Sequence, residues 1–209
     1  MSRFHSYDPA AGHGLPHDPF KAIVAPRPVG WVTTIDRDGR INLAPYSFFN
    51  AFSTSPPIVG FSSEGRKDSI LNAMETGEFT FNLVSLPLIA AMNATSAPTR
   101  RGVNEMELAA LEALPSSKVK PPRVMRSPAA MECKVVEVKA LSDINGDLIG
   151  AYLVIGQVVQ VHIDERYLVD GIFDIVAAQT VARAGYRGDY ISVTATFELL
   201  RPETAPGTG

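Results

Sequence analysis

RPVGWVTTIDRDGRINLAPYSFFNAFS, residues 27–53, decides how the chain folds. Its first part reads as a β-hairpin. Val29 to Ile35 is rich in β-branched residues, Asp38-Gly39 supplies a tight turn whose glycine accepts a positive φ, and Ile41 to Ser47 returns. Ala44-Pro45 is expected to break the returning strand, leaving Ser47, Phe48, Phe49 and Asn50 on irregular backbone. Such a segment can offer N–H and C=O groups to the edge of a planar heterocycle while aromatic rings cover its face. Taken singly, each Phe is more simply a core residue.

Outward from this block, PIVGFSS from Pro57 reads as a third strand. KDSILNAMETGEF then changes to helical spacing, with Ile70, Ala73, Met74 and Gly77 at i, i+3, i+4 and i+7. Asp68 or Ser69 can cap this helix and Gly77 can end it. EFTFNLVS returns to strand, residues 86–113 read as helical, and SSKVKPPRVMRSP is a loop. AAMECKVVEVKAL and DLIGAYLVIGQVVQVHID form a long hairpin around Asn145-Gly146, and DYISVTATFELL is the last strand. Residues 1–20 read as an irregular arm, 21–202 as one domain and 203–209 as a disordered tail. Hairpin-joined strands with helices grouped as insertions point to a mainly β fold with α insertions, an antiparallel barrel rather than a doubly wound sheet.

Composition excludes several classes. The formal charge of -3 gives no general attraction for nucleic acid or an anionic membrane. No apolar run approaches the roughly 20 residues that span a bilayer, and the first residues lack a signal-peptide apolar core, so a cytoplasmic protein is expected. A single cysteine cannot form an internal disulfide; Cys133, in an alternating stretch, reads as a buried inert thiol rather than a nucleophile. His13 and His17 stand four apart, but Gly14 and Pro16 between them oppose a helical metal pair, so no metal site is expected.

The sequence has no G-x-G-x-x-G helix opening, no phosphate loop ending in G-K-[ST] and no G-x-S-x-G elbow. A different chemistry is present. SEGRKDSILN sets Arg66 and Lys67 directly before a helix, whose first amides are unsatisfied and carry partial positive charge, an arrangement suited to a phosphate. A solvated basic turn before an ordinary cap is the bland alternative. In VARAGYRGDY, Arg183 offers a cation beside flexible backbone, or else an ordinary surface loop.

Together, PRPVGWVTTIDRDGRINLAPYSFFNAFSTSPPIVGFS and GRKDSILNAMETGEFTFNL resemble the flavin reductase-like, FMN-binding split-barrel family, in the branch of nitrilotriacetate monooxygenase component B and the flavoredoxins. The likeness continues through SSKVKPPRVMRSPAAMECKVVEV and GQVVQVHID to DYISVTATFELLRP, over roughly residues 15–202. This resemblance implies a six-stranded antiparallel split barrel, a homodimer, and FMN near the dimer interface. It would set Thr33, Thr34, Ser47, Phe48, Phe49 and Asn50 along the flavin and ribityl chain. Ser62, Lys67, Asp68 and Ser69 would surround the phosphate, with Arg183 near the ring as the catalytic cation. Trp31 matches the family pattern, although core packing also accounts for it; Tyr186 stands where members often carry glycine. The implied activity is hydride transfer from NADH or NADPH to flavin, with a flavin-dependent monooxygenase as the implied recipient of the reduced flavin. Alternatives are a flavoredoxin-type electron carrier without useful NAD(P)H turnover, or a binder of another ligand such as haem.

Overall fold

The computed structural model describes residues 3–202. The expected tail, 203–209, lies outside the described residues. Along the chain run α1 (Phe20–Ile23), β1 (Arg27–Pro28), β2 (Gly30–Ile35), β3 (Ile41–Tyr46), β4 (Phe49–Thr54), β5 (Pro57–Glu64), α2 (Asp68–Thr76) and β6 (Glu78–Leu83). The excursion α3 (Ile89–Ala94), α4 (Glu105–Leu108), β7 (Ala113–Leu114) and β8 (Arg123–Val124) follows. Then come the long β9 (Ala129–Ser142) and β10 (Leu148–Ile163), short β11 (Leu168–Val169) and β12 (Ile172–Phe173), and β13 (Val181–Arg183) and β14 (Tyr190–Ser192).

Seven antiparallel strands form one sheet in the order β3-β2-β6-β9-β10-β5-β4. The two edge strands, β3 and β4, are joined only by Ser47 and Phe48. Two residues cannot span an open seven-stranded sheet, whose strands stand about 4.8 Å apart. The sheet must therefore curl until its edges meet, and Ser47–Phe48 is the seam of the resulting split barrel. The Phe48 carbonyl, accepting from the Ser62 amide at 2.8 Å, starts the ladder on the far side.

This corrects the expectation of a strand broken at Ala44-Pro45. β3 continues through Pro45, paired with Trp31, to Tyr46. An edge strand accommodates proline because one side of its backbone needs no ladder partner. The irregular backbone is limited to the seam, and Phe49–Thr54 adds a seventh strand to the six expected.

Val32, Phe49, Phe61, Phe79, Phe81, Cys133 and Val154 fill the barrel, with Ile70 and Ala73 of α2 packed onto them. Burial pushes the Cys133 thiol pKa far above its ordinary value, as an inert core thiol requires. Gly156 on β10 leaves room for Phe79: a Cβ there would stand 2.4 Å from a ring atom that has no solvent to move into. Gly156→Ala is expected to cost roughly 1–3 kcal/mol, read as a lower denaturant midpoint at unchanged slope.

A second core lies outside the barrel, where Trp31, Leu43, Leu88, Met92, Met106 and Val124 pack β2 and β3 against the excursion. Trp31 belongs to it; its indole N–H donates to Thr95 Oγ1 at 2.9 Å. The helical reading of residues 86–113 is corrected here, since only short helical turns form and residues 95–104 are loop, interrupted at Pro98 and Gly102. The last strand is likewise shorter than expected. It stops at Ser192, and beyond Val193 no strand lies alongside among the described residues, leaving Phe197, Leu199 and Leu200 exposed.

Candidate functional site

At the start of α2, Lys67 holds the N-cap position and makes no side-chain cap bond; neither Asp68 nor Ser69 caps the helix as expected. The Lys67 carbonyl accepts from the Ile70 and Leu71 amides, whereas those of Asp68 and Ser69 precede the helical ladder and have no intrahelical acceptor. The Ser69 hydroxyl instead accepts from Asn42 Nδ2 at 2.8 Å, tying the helix start to β3. Arg66 turns away, donating from Nε to the Tyr152 hydroxyl at 2.9 Å. Lys67 is thus the basic side chain of this pair that meets the cavity.

That cavity, about 350 Å³, runs between β3, the α2 start and the loop at Thr95–Thr99. A second cavity of about 210 Å³ adjoins it, sharing the lining residues Pro45 and Ser96 and reaching Ser47, Arg183 and Tyr190. Taken together as one trough, the two lobes carry an ammonium and free helix amides at one end and a guanidinium at the other. The Arg183 guanidinium carbon lies 4.6 Å from the Tyr190 ring centre.

The trough gathers Ser47, Lys67, Asp68, Ser69 and Arg183 of the sequence-predicted residues. The others stand elsewhere. Thr34 is fully buried beneath it, its hydroxyl accepting from the Asn42 and Asn72 amides, so it supports Asn42 rather than facing the cavity. Thr33 points to the opposite face, where its hydroxyl accepts from Asn82. Phe49 is in the core, stacked on Phe81 with ring centres 4.7 Å apart. Phe48 is partly exposed at the seam, and Asn50 is exposed with its side-chain oxygen accepting from the Ala51 amide. Ser62 lies on the face of β5 opposite Ser63.

Several trough residues were missed. Asn42 and Tyr46 alternate along β3 toward the cavity, which a period-two reading through Pro45 would have found. Ser63 lies beside the Tyr46 phenol together with Ser69. Burial, chiefly, pushes that phenol above its ordinary pKa, so it remains a neutral donor. Glu105 holds the excursion in place, its carboxylate accepting from the Leu43 amide at 2.9 Å and from the Thr99 hydroxyl at 2.8 Å. Asp68 faces Arg101 at 3.7 Å, which offsets its negative charge near the helix start.

The donor set fits FMN: a lysine, two free amides and a hydroxyl at one end suit a phosphate, and a guanidinium at the other suits a polar ring edge. The chain belongs to the flavin reductase like domain family, which matches residues 24–172. It is 35% identical over 192 residues to an uncharacterized protein of Deinococcus radiodurans, covering 86% of this chain and 82% of that one. The solved nitrilotriacetate monooxygenase component B from Bacillus cereus superposes with a TM-score of 0.85 at 29% identity, over 95% of this chain and all of that one. A split barrel domain protein from Shewanella frigidimarina NCIMB 400 superposes at 0.76 with 28% identity, covering 89% and 90%. Among the described residues no group of acidic, His or Cys side chains could hold a metal ion, and no helix is long and apolar enough to cross a membrane.

Proposed function

We propose that this protein is a flavin reductase that accepts hydride from NADH or NADPH on FMN held in the trough. The carrying observation is the trough itself, with Lys67 and Ser69 at one end and Arg183 at the other. With FMN bound, the α2 start and Lys67 would hold the phosphate, Ser47 and Pro45 would line the ring, and Arg183 would offset negative charge at the ring edge. FMN supplies the hydride-accepting ring, which is why no acid–base pair is required of the protein. Likeness to component B of nitrilotriacetate monooxygenase supports a flavin-dependent monooxygenase as the recipient. Anaerobic mixing of the FMN-loaded protein with each nicotinamide should bleach the flavin absorbance in at least one case. A protein that binds FMN but is reduced by neither is a carrier, and one that binds no FMN is neither.

We also infer a homodimer, which the exposed apolar surface supports. Phe52, Val136, Ile149 and Val161 stand exposed on β4, β9 and β10, and Phe197, Leu199 and Leu200 on the unpaired stretch after β14. A second copy can cover them, and would set Phe48, Asn50 and Ser62 near its interface. Light scattering should return twice the 22.5 kDa chain mass; the single mass at micromolar concentration would exclude the dimer.

A further inference from the structure

Arg27 on β1 and Arg183 on β13 are direct cross-strand partners. Like charges in that position repel. Arg27 is 4% exposed, its Nη1 donates to the Lys21 carbonyl, and its Nε is buried with no hydrogen-bond partner. Its guanidinium carbon lies 5.9 Å from the Phe48 ring centre. Among the described residues, no carboxylate forms an ion pair with either arginine. Burial, first, and then the nearby Arg183 charge lower the Arg27 pKa, yet a guanidinium does not give up its proton near neutral pH. The fold therefore keeps two adjacent cations, one of them buried with an unused donor, and offers them no internal anion.

Their position says what the anion serves. Val29, two residues beyond Arg27, lines the same trough lobe as Ser47 and Arg183, at the end opposite Lys67. The flavin phosphate belongs to the Lys67 end and the oxidised ring carries no charge, so before electron transfer an anion at the arginines comes from a different molecule. We infer that Arg27 and Arg183 form one oxyanion site, which takes the carboxylate or phosphate of the small molecule exchanging electrons with the flavin. This rests on the ring lying in that lobe. Two planar guanidinium forks suit an oxyanion, and the Phe48 and Tyr190 rings flank them with apolar faces.

Calorimetry on the full chain, with and without FMN, tests the site with inorganic pyrophosphate and with benzoate as probes. Binding of pyrophosphate points to the diphosphate of a nicotinamide dinucleotide, and binding of benzoate to an aromatic carboxylate. Arg27→Met and Arg183→Gln should each weaken the bound probe roughly 10-fold or more, the loss of a charge-assisted hydrogen bond. Arg27→Met should also leave the melting temperature of the ligand-free protein unchanged or raised, because it removes one of two repelling charges. If Arg27→Met does not fold, Arg183→Gln, on a half-buried residue, decides. The site is overturned if neither probe binds, if Arg183→Gln leaves binding unchanged, or if FMN abolishes probe binding, which would assign the arginines to the flavin itself. FMN titration of the same samples separates this from the flavin reading: failure to bind FMN with probe binding intact sinks the latter alone.

Discussion

Lys67→Ala should weaken FMN binding roughly 10- to 100-fold and leave riboflavin nearly unchanged. The phosphate carries about -1.5 to -2 charges, and a charge-assisted hydrogen bond to it contributes on the order of 1.5–3 kcal/mol. Riboflavin lacks the phosphate but shares the ring and ribityl chain, so it reports on the rest of the trough. Lys67 is exposed at the helix N-cap and its side chain makes no cap bond, while its backbone bonds persist in the variant, so truncating it should not disturb the barrel. The affinity gap between the two flavins should also narrow as salt rises, because screening acts on the phosphate contact. Titrating both flavins against wild type and variant decides the matter. Equal losses for the two would mean a damaged fold. No loss for either would remove the phosphate from this end of the trough, and Arg66, committed to Tyr152, is poorly placed to replace Lys67.

The largest effect on stability is expected at Glu132. This carboxylate is fully buried on β9. It accepts from the Ser117 amide at 2.7 Å, the Lys118 amide at 2.5 Å and the Val119 amide at 3.2 Å, and lies 2.6 Å from His162 Nε2. Glu132→Ala leaves three amides and the imidazole without their acceptor, an expected loss of about 3–5 kcal/mol in denaturant unfolding. Against a typical domain stability of about 5–15 kcal/mol, that approaches the margin for folding. Burial alone would raise the Glu132 pKa, but the Ser117 amide, His162 and the Lys118 amide outweigh it and hold it below the ordinary 4.5. A carboxylate depressed in the folded state stabilises fully above its unfolded pKa and loses that contribution as pH falls through the folded one. Wild-type stability should therefore decline below about pH 4.5, and a Glu132→Gln variant should start lower and decline less steeply. Equal slopes for the two proteins would remove Glu132 from the acid response.

Local signals made most of the barrel strands and the C-terminal end of α2 legible. Asp38-Gly39 and Asn145-Gly146 mark hairpins that do form, and Gly77 ends α2 at a φ of 71°. Pro45 misled because proline argues against a central strand, and edge position is a property of the sheet order rather than of the sequence. The excursion misled because short apolar repeats at three- and four-residue spacing also describe loops pressed onto a tryptophan. Lys67 and Ser69 could be found by their place at the start of a helix. Asn42 could be placed toward the cavity by period two, but not its bond to Ser69, and Glu105 could not be found at all, because its importance comes from a contact across the fold to the Leu43 amide. The Arg27–Arg183 pairing joins residues near opposite ends of the chain, and no local pattern announces it.

That pairing also separates the two ends of the trough along the chain. The lysine end and the seven-stranded sheet use nothing beyond Ile163, whereas the arginine end needs β13 and β14. Bringing Arg183 back to Arg27 closes a loop that encloses the whole barrel, yet the entropic cost of closing a loop grows only slowly with its length. The end of the trough that Lys67 meets is built from the body of the chain, and the end that Arg183 meets is added by its last strands.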